Sequence, residues 1–119
     1  MVRSLLTTSS LRQAYEFLSS VPPFSRWNLP HQEDVVFLVV QDRRHYGWCR
    51  KRKHEPFEIA VSASLVGSVD TLMRVMAHEM IHLHQRSCRM ETKGAQHNAA
   101  WYKLAEQVGK ATGFDAKAL

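Results

Sequence analysis

Met76-Ala77-His78-Glu79-Met80-Ile81-His82-Leu83 carries His-Glu-x-x-His inside a run of helical periodicity. On an α-helix, residues i and i+4 share one face and stand one turn apart. His78 and His82 can therefore aim two imidazole nitrogens at a single point. That suits a tetrahedral Zn²⁺ held at roughly 2.0–2.1 Å from each nitrogen. Glu79 stands beside the first ligand, where its carboxylate can reach a metal-bound water without binding the metal. This is the arrangement of zinc-dependent peptide hydrolysis with Glu as general base. The plainer reading is two helix-surface histidines beside an unrelated glutamate. Two features of context oppose it: the motif lies in a long amphipathic segment, and another His, His97, heads a later helix.

A catalytic zinc site commonly takes three protein ligands and leaves one position for water. The candidates for the third are His84, Glu91, His97 and Glu106. His84 points about 200° around the helix from His82, as a surface or core-edge histidine would. Glu91 falls in a polar loop. His97 precedes an amphipathic stretch, and the loop before it is long enough to reverse the chain and return this position to the metal. Glu106 would complete a His-His-Glu set, although its place off the apolar stripe suits a solvated charge. His97 is preferred and Glu106 is the alternative. The metzincin pattern places its third His six residues after the second, with a Gly between. Those positions hold Cys88 and Gln85 here, which excludes it.

These groups need elements to carry them. Leu11, Ala14, Tyr15 and Leu18 predict a helix over Ser9–Ser20, ended by Pro22-Pro23. Phe24–Glu33 reads as a loop. Val35–Val40 is short, β-branched and continuously apolar, as a buried central strand is. Gln41–Arg44 is a turn, and His45–Cys49 a second strand. Arg50–Pro56 is a polar connection. Phe57–Ser62 alternates as a half-exposed strand does. A long helix capped by Ser68 or Asp70 runs to about Arg86 and is apolar on more than one side. Ser87–Gln96 is a loop. Asn98–Lys110 forms the last helix, with a stripe of Trp101, Leu104, Ala105 and Val108 ended by Gly109 or Gly113. The tail Phe114–Leu119 is expected to be frayed or loosely docked. The expectation is one α+β domain over residues 1–119: a small, three-stranded, mostly antiparallel sheet packed on the central His-Glu-x-x-His helix, with a helix at either end.

The chain has 119 residues and a formal net charge of +5, which favours an anionic partner. Arg43-Arg44 and Arg50-Lys51-Arg52-Lys53 flank Tyr46 and Trp48. Such a loop could touch phosphates and stack on the bases of a single strand; the plainer reading is a solvated turn. Cys49 and Cys88 make no disulfide framework and read as packing residues, as do Trp27 and Trp101. The N-terminus has no apolar stretch long enough for a signal peptide, and no run approaches a membrane span. A cytoplasmic, non-secreted protein that engages no membrane is expected.

The chain resembles the SprT-like, or Spartan-type, zinc metalloproteases over roughly Val35 to Val108. Residues Met76 to His82 are similar to the family's His-Glu-Met-Ile-His helix. His97, with Trp101 four positions on, resembles its third motif. Tyr46-Gly47-Trp48-Cys49 and Ile59-Ala60-Val61-Ser62 resemble its strand pair before the helix. Asn98-Ala99 stands where the family usually has Gly-Pro. The resemblance implies a minimal zincin-like domain with one Zn²⁺ on His78, His82 and His97, and Glu79 as the base. It implies a metalloendopeptidase acting on a protein or peptide, with DNA-bound or DNA-crosslinked proteins as targets and single-stranded or junction DNA as activator. It places the protein at the nucleoid if DNA is required. Two other readings stand beside it: a specific zincin protease independent of DNA, and a zinc-stabilised nucleic-acid-binding module with vestigial chemistry. The strand Phe57–Ser62 could lend its edge to an extended substrate. Tyr46, Tyr102 and His84 are the candidates for stabilising the oxyanion.

Overall fold

Helix α1, Thr8–Ser19, begins where Thr7 and Ser10 form a capping box. The Thr7 hydroxyl accepts from the Ser10 amide at 3.0 Å, and the Ser10 hydroxyl accepts from the Thr7 amide at 2.8 Å. Both satisfy donors that a helix start leaves without partners. Leu11, Ala14, Tyr15 and Leu18 bury its apolar stripe, and Tyr15 meets Phe37 edge-on at 5.4 Å. The computed structural model to which these residues belong describes residues 6–90 and 97–119. The expected ligand alternative Glu91, and Gly94 of the same loop, lie outside the described residues.

The strands are β1 (Val35–Val40), β2 (Gly47–Lys51) and β3 (Phe57–Ser62). Their order is β1-β3-β2, with β1 parallel and β2 antiparallel to β3. The sheet is thus mixed, and this corrects the mostly antiparallel expectation. The roles of two strands are also exchanged. The continuously apolar β1 is an edge strand, with Val36 and Leu38 exposed at 41% and 36%. The alternating β3 is the central strand, and Ile59 to Ser62 are all buried. The polar residues that suggested exposure in β3 have partners. Glu58 pairs with Arg50 of the neighbouring strand at 2.8 Å, and the Ser62 hydroxyl donates to the Asp42 carbonyl. The Asp42 amide in turn donates to Ser62 Oγ at 3.2 Å. This tie holds the β1–β2 connection across the end of β3, so β2 lands on the far side of it and not beside β1. Strand β2 also starts two residues later than expected and includes Arg50 and Lys51.

Helix α2, Val69–Ser87, is capped by Ser68, whose hydroxyl accepts from the Thr71 amide at 3.2 Å. It touches α1, β2 and β3. Leu72, Met76, Ala77, Met80, Ile81 and Leu83 are buried along it, so it presents apolar groups to more than one neighbour. Helix α3, Ala99–Thr112, also packs on α2, starts at the Asn98 cap and ends at Gly113, whose φ of 85° is the left-handed turn glycine makes readily. The chain then folds back through a short 3-10 turn, Ala116–Ala118, against α3. Gly109 permits the approach, because a Cβ there would stand 2.7 Å from the Phe114 carbonyl oxygen. Phe114 and Leu119 pack against the core, so the tail is docked, where fraying or loose docking was expected. No helix among the described residues is long and apolar enough to cross a membrane.

Candidate metal centre

The period of α2 puts His78 and His82 on one face, with their Nε2 atoms 3.2 Å apart. His97 brings its Nε2 to 3.2 Å from that of His82. The ligand atoms of the three imidazoles lie within 4.8 Å of one another, and together they could hold a metal ion. Two nitrogens at the zinc distance from one tetrahedral ion stand about 3.3 Å apart. Both pairs that include His82 therefore have the spacing such an ion requires, and the donor type suits zinc.

His97 arrives through a polar clamp that the sequence pattern did not disclose. Gln85, 2% exposed on α2, donates Nε2 to Asn98 Oδ1 at 2.9 Å. The same oxygen accepts from the Trp101 amide at 2.9 Å, as an N-cap does. Asn98 Nδ2 donates to the Met90 carbonyl at 2.9 Å. One side chain thus ties α2, the segment leaving it and the start of α3, next to His97. Trp101 is core, as expected, but it is also the platform of the cluster. It stacks on His97 at 4.0 Å and lies 5.0 Å from His78 and 5.7 Å from His82. The local signal for Asn98 was its type at a helix start; Gln85 and the stacking depend on contacts remote in sequence.

Burial sets the protonation states. The pKa of His78 is lowered to about 4, first by desolvation and then by His97, with a Leu119 backbone hydrogen bond acting the other way. That of His82 is lowered to about 3 by desolvation and then by His78, His97 and Arg86. Desolvation lowers His97 as well. All three imidazoles are neutral near pH 7, the form that binds metal. Glu79 is 5% exposed, and desolvation raises its pKa to about 8 against the pull of Arg86. A divalent cation nearby would favour its ionised form.

Two members of the cluster, His78 and His97, line a cleft of about 610 Å³. His78, Glu79 and His97 form the floor, and Thr71 and Arg74 continue it along α2. His45, Tyr46 and Gly47 face them, and Ala118 and Leu119 form a further wall. Gly47 is required by packing, since a Cβ there would collide with the Ala60 carbonyl. The expected substrate edge on Phe57–Ser62 is not available, because β3 is flanked by strands on both sides. The sheet edge at the cleft belongs to β2.

The other sequence candidates separate. Glu106 is exposed on α3 and takes no part in the cluster. His84 stacks on Trp27 at 4.3 Å and approaches Cys88 Sγ at 3.7 Å, outside the cleft. Tyr102 is 56% exposed, with its ring 6.3 Å from that of His97. Tyr46 alone of the three oxyanion candidates lines the cleft. Arg43 and Arg44 are exposed before β2, on the side of His45 and Tyr46. Arg52 and Lys53 are exposed after it, roughly 17 Å away by strand rise. Between them, Arg50 is engaged by Glu58 and lies 5.0 Å from the Trp48 ring centre, while Trp48 donates to the same carboxylate at 3.0 Å. Lys51 Nζ donates to the Arg52 carbonyl at 2.9 Å. The six basic residues thus fall into an exposed pair before β2, two residues engaged along it and an exposed pair after it. Cys49 is buried and Cys88 exposed, with no disulfide between them.

A family model described as the SprT-like family matches residues 22–118. The match runs beyond both ends of the Val35–Val108 resemblance and takes in the cluster, the β2 wall and the returning tail. No curated protein matches the chain.

Proposed function

The chain belongs to the SprT-like family, and on that footing we propose that it is a zinc-dependent metalloendopeptidase. The carrying observation is the convergence of His78, His82 and His97 at ion-compatible spacing, with a buried Glu79 beside them. His78, His82 and His97 would hold one Zn²⁺. When bound, the ion supplies Lewis acidity, bringing the pKa of a water near neutrality and polarising the scissile carbonyl. Glu79 takes the proton of the attacking water and passes it to the leaving amine. Trp101 and Asn98 hold His97 in place. The substrate lies extended along the β2 edge, with main-chain pairing as its general grip. Tyr46, across the cleft, is the remaining candidate to donate to the oxyanion.

A vestigial, purely structural site is disfavoured by Glu79. A carboxyl group buried at a cost beside the three imidazoles has a use as the base of the reaction and none in a purely structural site. The choice between DNA-dependent and DNA-independent cleavage turns on Arg43 and Arg44, exposed at the cleft end of β2. They favour DNA-bound or DNA-crosslinked proteins as targets. Cleavage of a DNA-bound protein with and without single-stranded DNA separates the two readings. The peptidase reading itself is tested by Glu79→Gln, which should retain zinc and lose activity by roughly 10²–10⁴-fold. Undiminished cleavage by that variant overturns it.

A further inference from the structure

We infer that Arg74 makes the cleft selective for peptides with a carboxylate close to the scissile bond. The inference rests on the peptidase reading above and adds a substrate class to it. Arg74, His78 and His82 follow one another at i, i+4 and i+8 on α2, so they share a face. Arg74 therefore sits one turn, about 6 Å, along the helix from His78. It lines the same cleft as His78 and His97, beside Thr71.

The present partners of Arg74 leave it able to take a ligand. Its Nε donates to Asp70 Oδ2 at 3.2 Å, in an i,i+4 pair whose Asp70 side chain is 72% exposed. Such solvated pairs hold weakly and exchange readily. Its Nη2 reaches Thr71 Oγ1 only at 3.5 Å. A guanidinium carries five N–H donors in a planar fork that matches a carboxylate through two bonds.

The charges around the cleft point the same way. Among the described side chains that line the cleft the only acid is Glu79, which is buried, and Asp70 is not one of them. Arg74 is the only permanently charged cation among them. Its ion pair is with Asp70, outside the lining, and no described lining side chain forms an ion pair with it. A carboxylate there would gain a charge-assisted hydrogen bond in a partly sheltered site. An amide of the same shape would gain much less, and an ammonium group would be repelled. The carboxylate can come from an Asp or Glu side chain or from a peptide C-terminus.

The test uses the full zinc-loaded chain and matched fluorogenic peptides. One set carries Glu, Gln or Lys at successive positions around the scissile bond; a second ends in a free acid or an amide. The expected result is about a tenfold or larger advantage in kcat/KM for the carboxylate at one position. An advantage for internal Glu identifies a side-chain subsite, and an advantage for the free acid identifies a terminal one. Arg74→Gln should cut the advantage to about twofold or less, Arg74→Lys should keep part of it, and Arg74→Glu should favour Lys-bearing peptides. A second arm measures binding of the same peptides to metal-free Glu79→Gln protein by fluorescence anisotropy. There, neither turnover nor ligation of the carboxylate by the metal contributes. Cleavage with no carboxylate preference, or a preference that survives Arg74→Gln, overturns the inference and leaves the peptidase reading intact. Absence of cleavage for every peptide overturns the peptidase reading, and the binding arm then decides Arg74 alone. An Arg74→Gln variant that loses only single-stranded DNA binding also overturns it.

Discussion

Glu79 is held at odds with its surroundings, and this has a measurable consequence in the metal-free protein. Its folded-state pKa, about 8, lies above the ordinary 4.5 because of burial. A raised pKa contributes stability that is fully present below the unfolded value and is lost as pH rises through the folded one. Glu79 should therefore weaken the metal-free fold progressively between about pH 4.5 and 8. His78 and His82, lowered from 6.5 to about 4 and about 3, work in the opposite direction. Their contribution is present above 6.5 and is lost as pH falls through their folded values. Urea unfolding of metal-free Glu79→Gln should show greater stability than the parent above pH 8, on the order of a few kcal/mol, and no gain near pH 4. A pH-independent difference between the two would contradict the burial argument. At this scale the sequence was most informative. His78, Glu79 and His82 are related by one helical turn, which needs no tertiary knowledge. His97 was reachable by loop length. The role of Trp101 as platform was not, since its apolar stripe explains its burial equally well without the stacking.

Among the elements, the junction of α2 and α3 carries more of the site than its sequence suggests. Asn98 is both the cap of α3 and the partner of buried Gln85. Asn98→Ala should cost about 1 kcal/mol for the cap, with about 1–3 kcal/mol more for the stranded Gln85 amide. It should also weaken zinc affinity by roughly 10–100-fold, as loss of an orienting contact around a metal site does. Competition against a chromogenic chelator measures this, and unchanged affinity in the variant would show that the clamp does not position His97. The sheet was the least legible element. Hydrophobic pattern marked three strands but not their order. Val36 and Leu38 look like core residues in sequence yet face outward, while Glu58 and Ser62 look exposed yet find partners in Arg50 and Asp42. Burial in a sheet depends on which strand lies in the middle, and here a loop tie decides that.

Across the whole molecule, the net charge of +5 is distributed in a way the sequence could not display. Arg43 and Arg44 stand at the cleft end of β2, and Arg52 and Lys53 at the other end. If DNA is the anionic partner, Arg43→Glu with Arg44→Glu should weaken single-stranded DNA binding about tenfold or more and reduce its salt dependence. The same change at Arg52 and Lys53 should have less effect on cleavage of a DNA-bound protein. Equal effects from both pairs would remove the link between the cleft and DNA. The family match over residues 22–118 encompasses all the parts on which the central claim depends: the cluster, the buried base and the facing edge. The most direct test of that claim combines one preparation with two readings. The parent chain and Glu79→Gln are loaded to measured zinc content and incubated with an intrinsically disordered protein. One zinc per chain in both, with cleavage by the parent alone, is the expected result. Cleavage by both at equal rates, or by neither at full zinc occupancy, would contradict it.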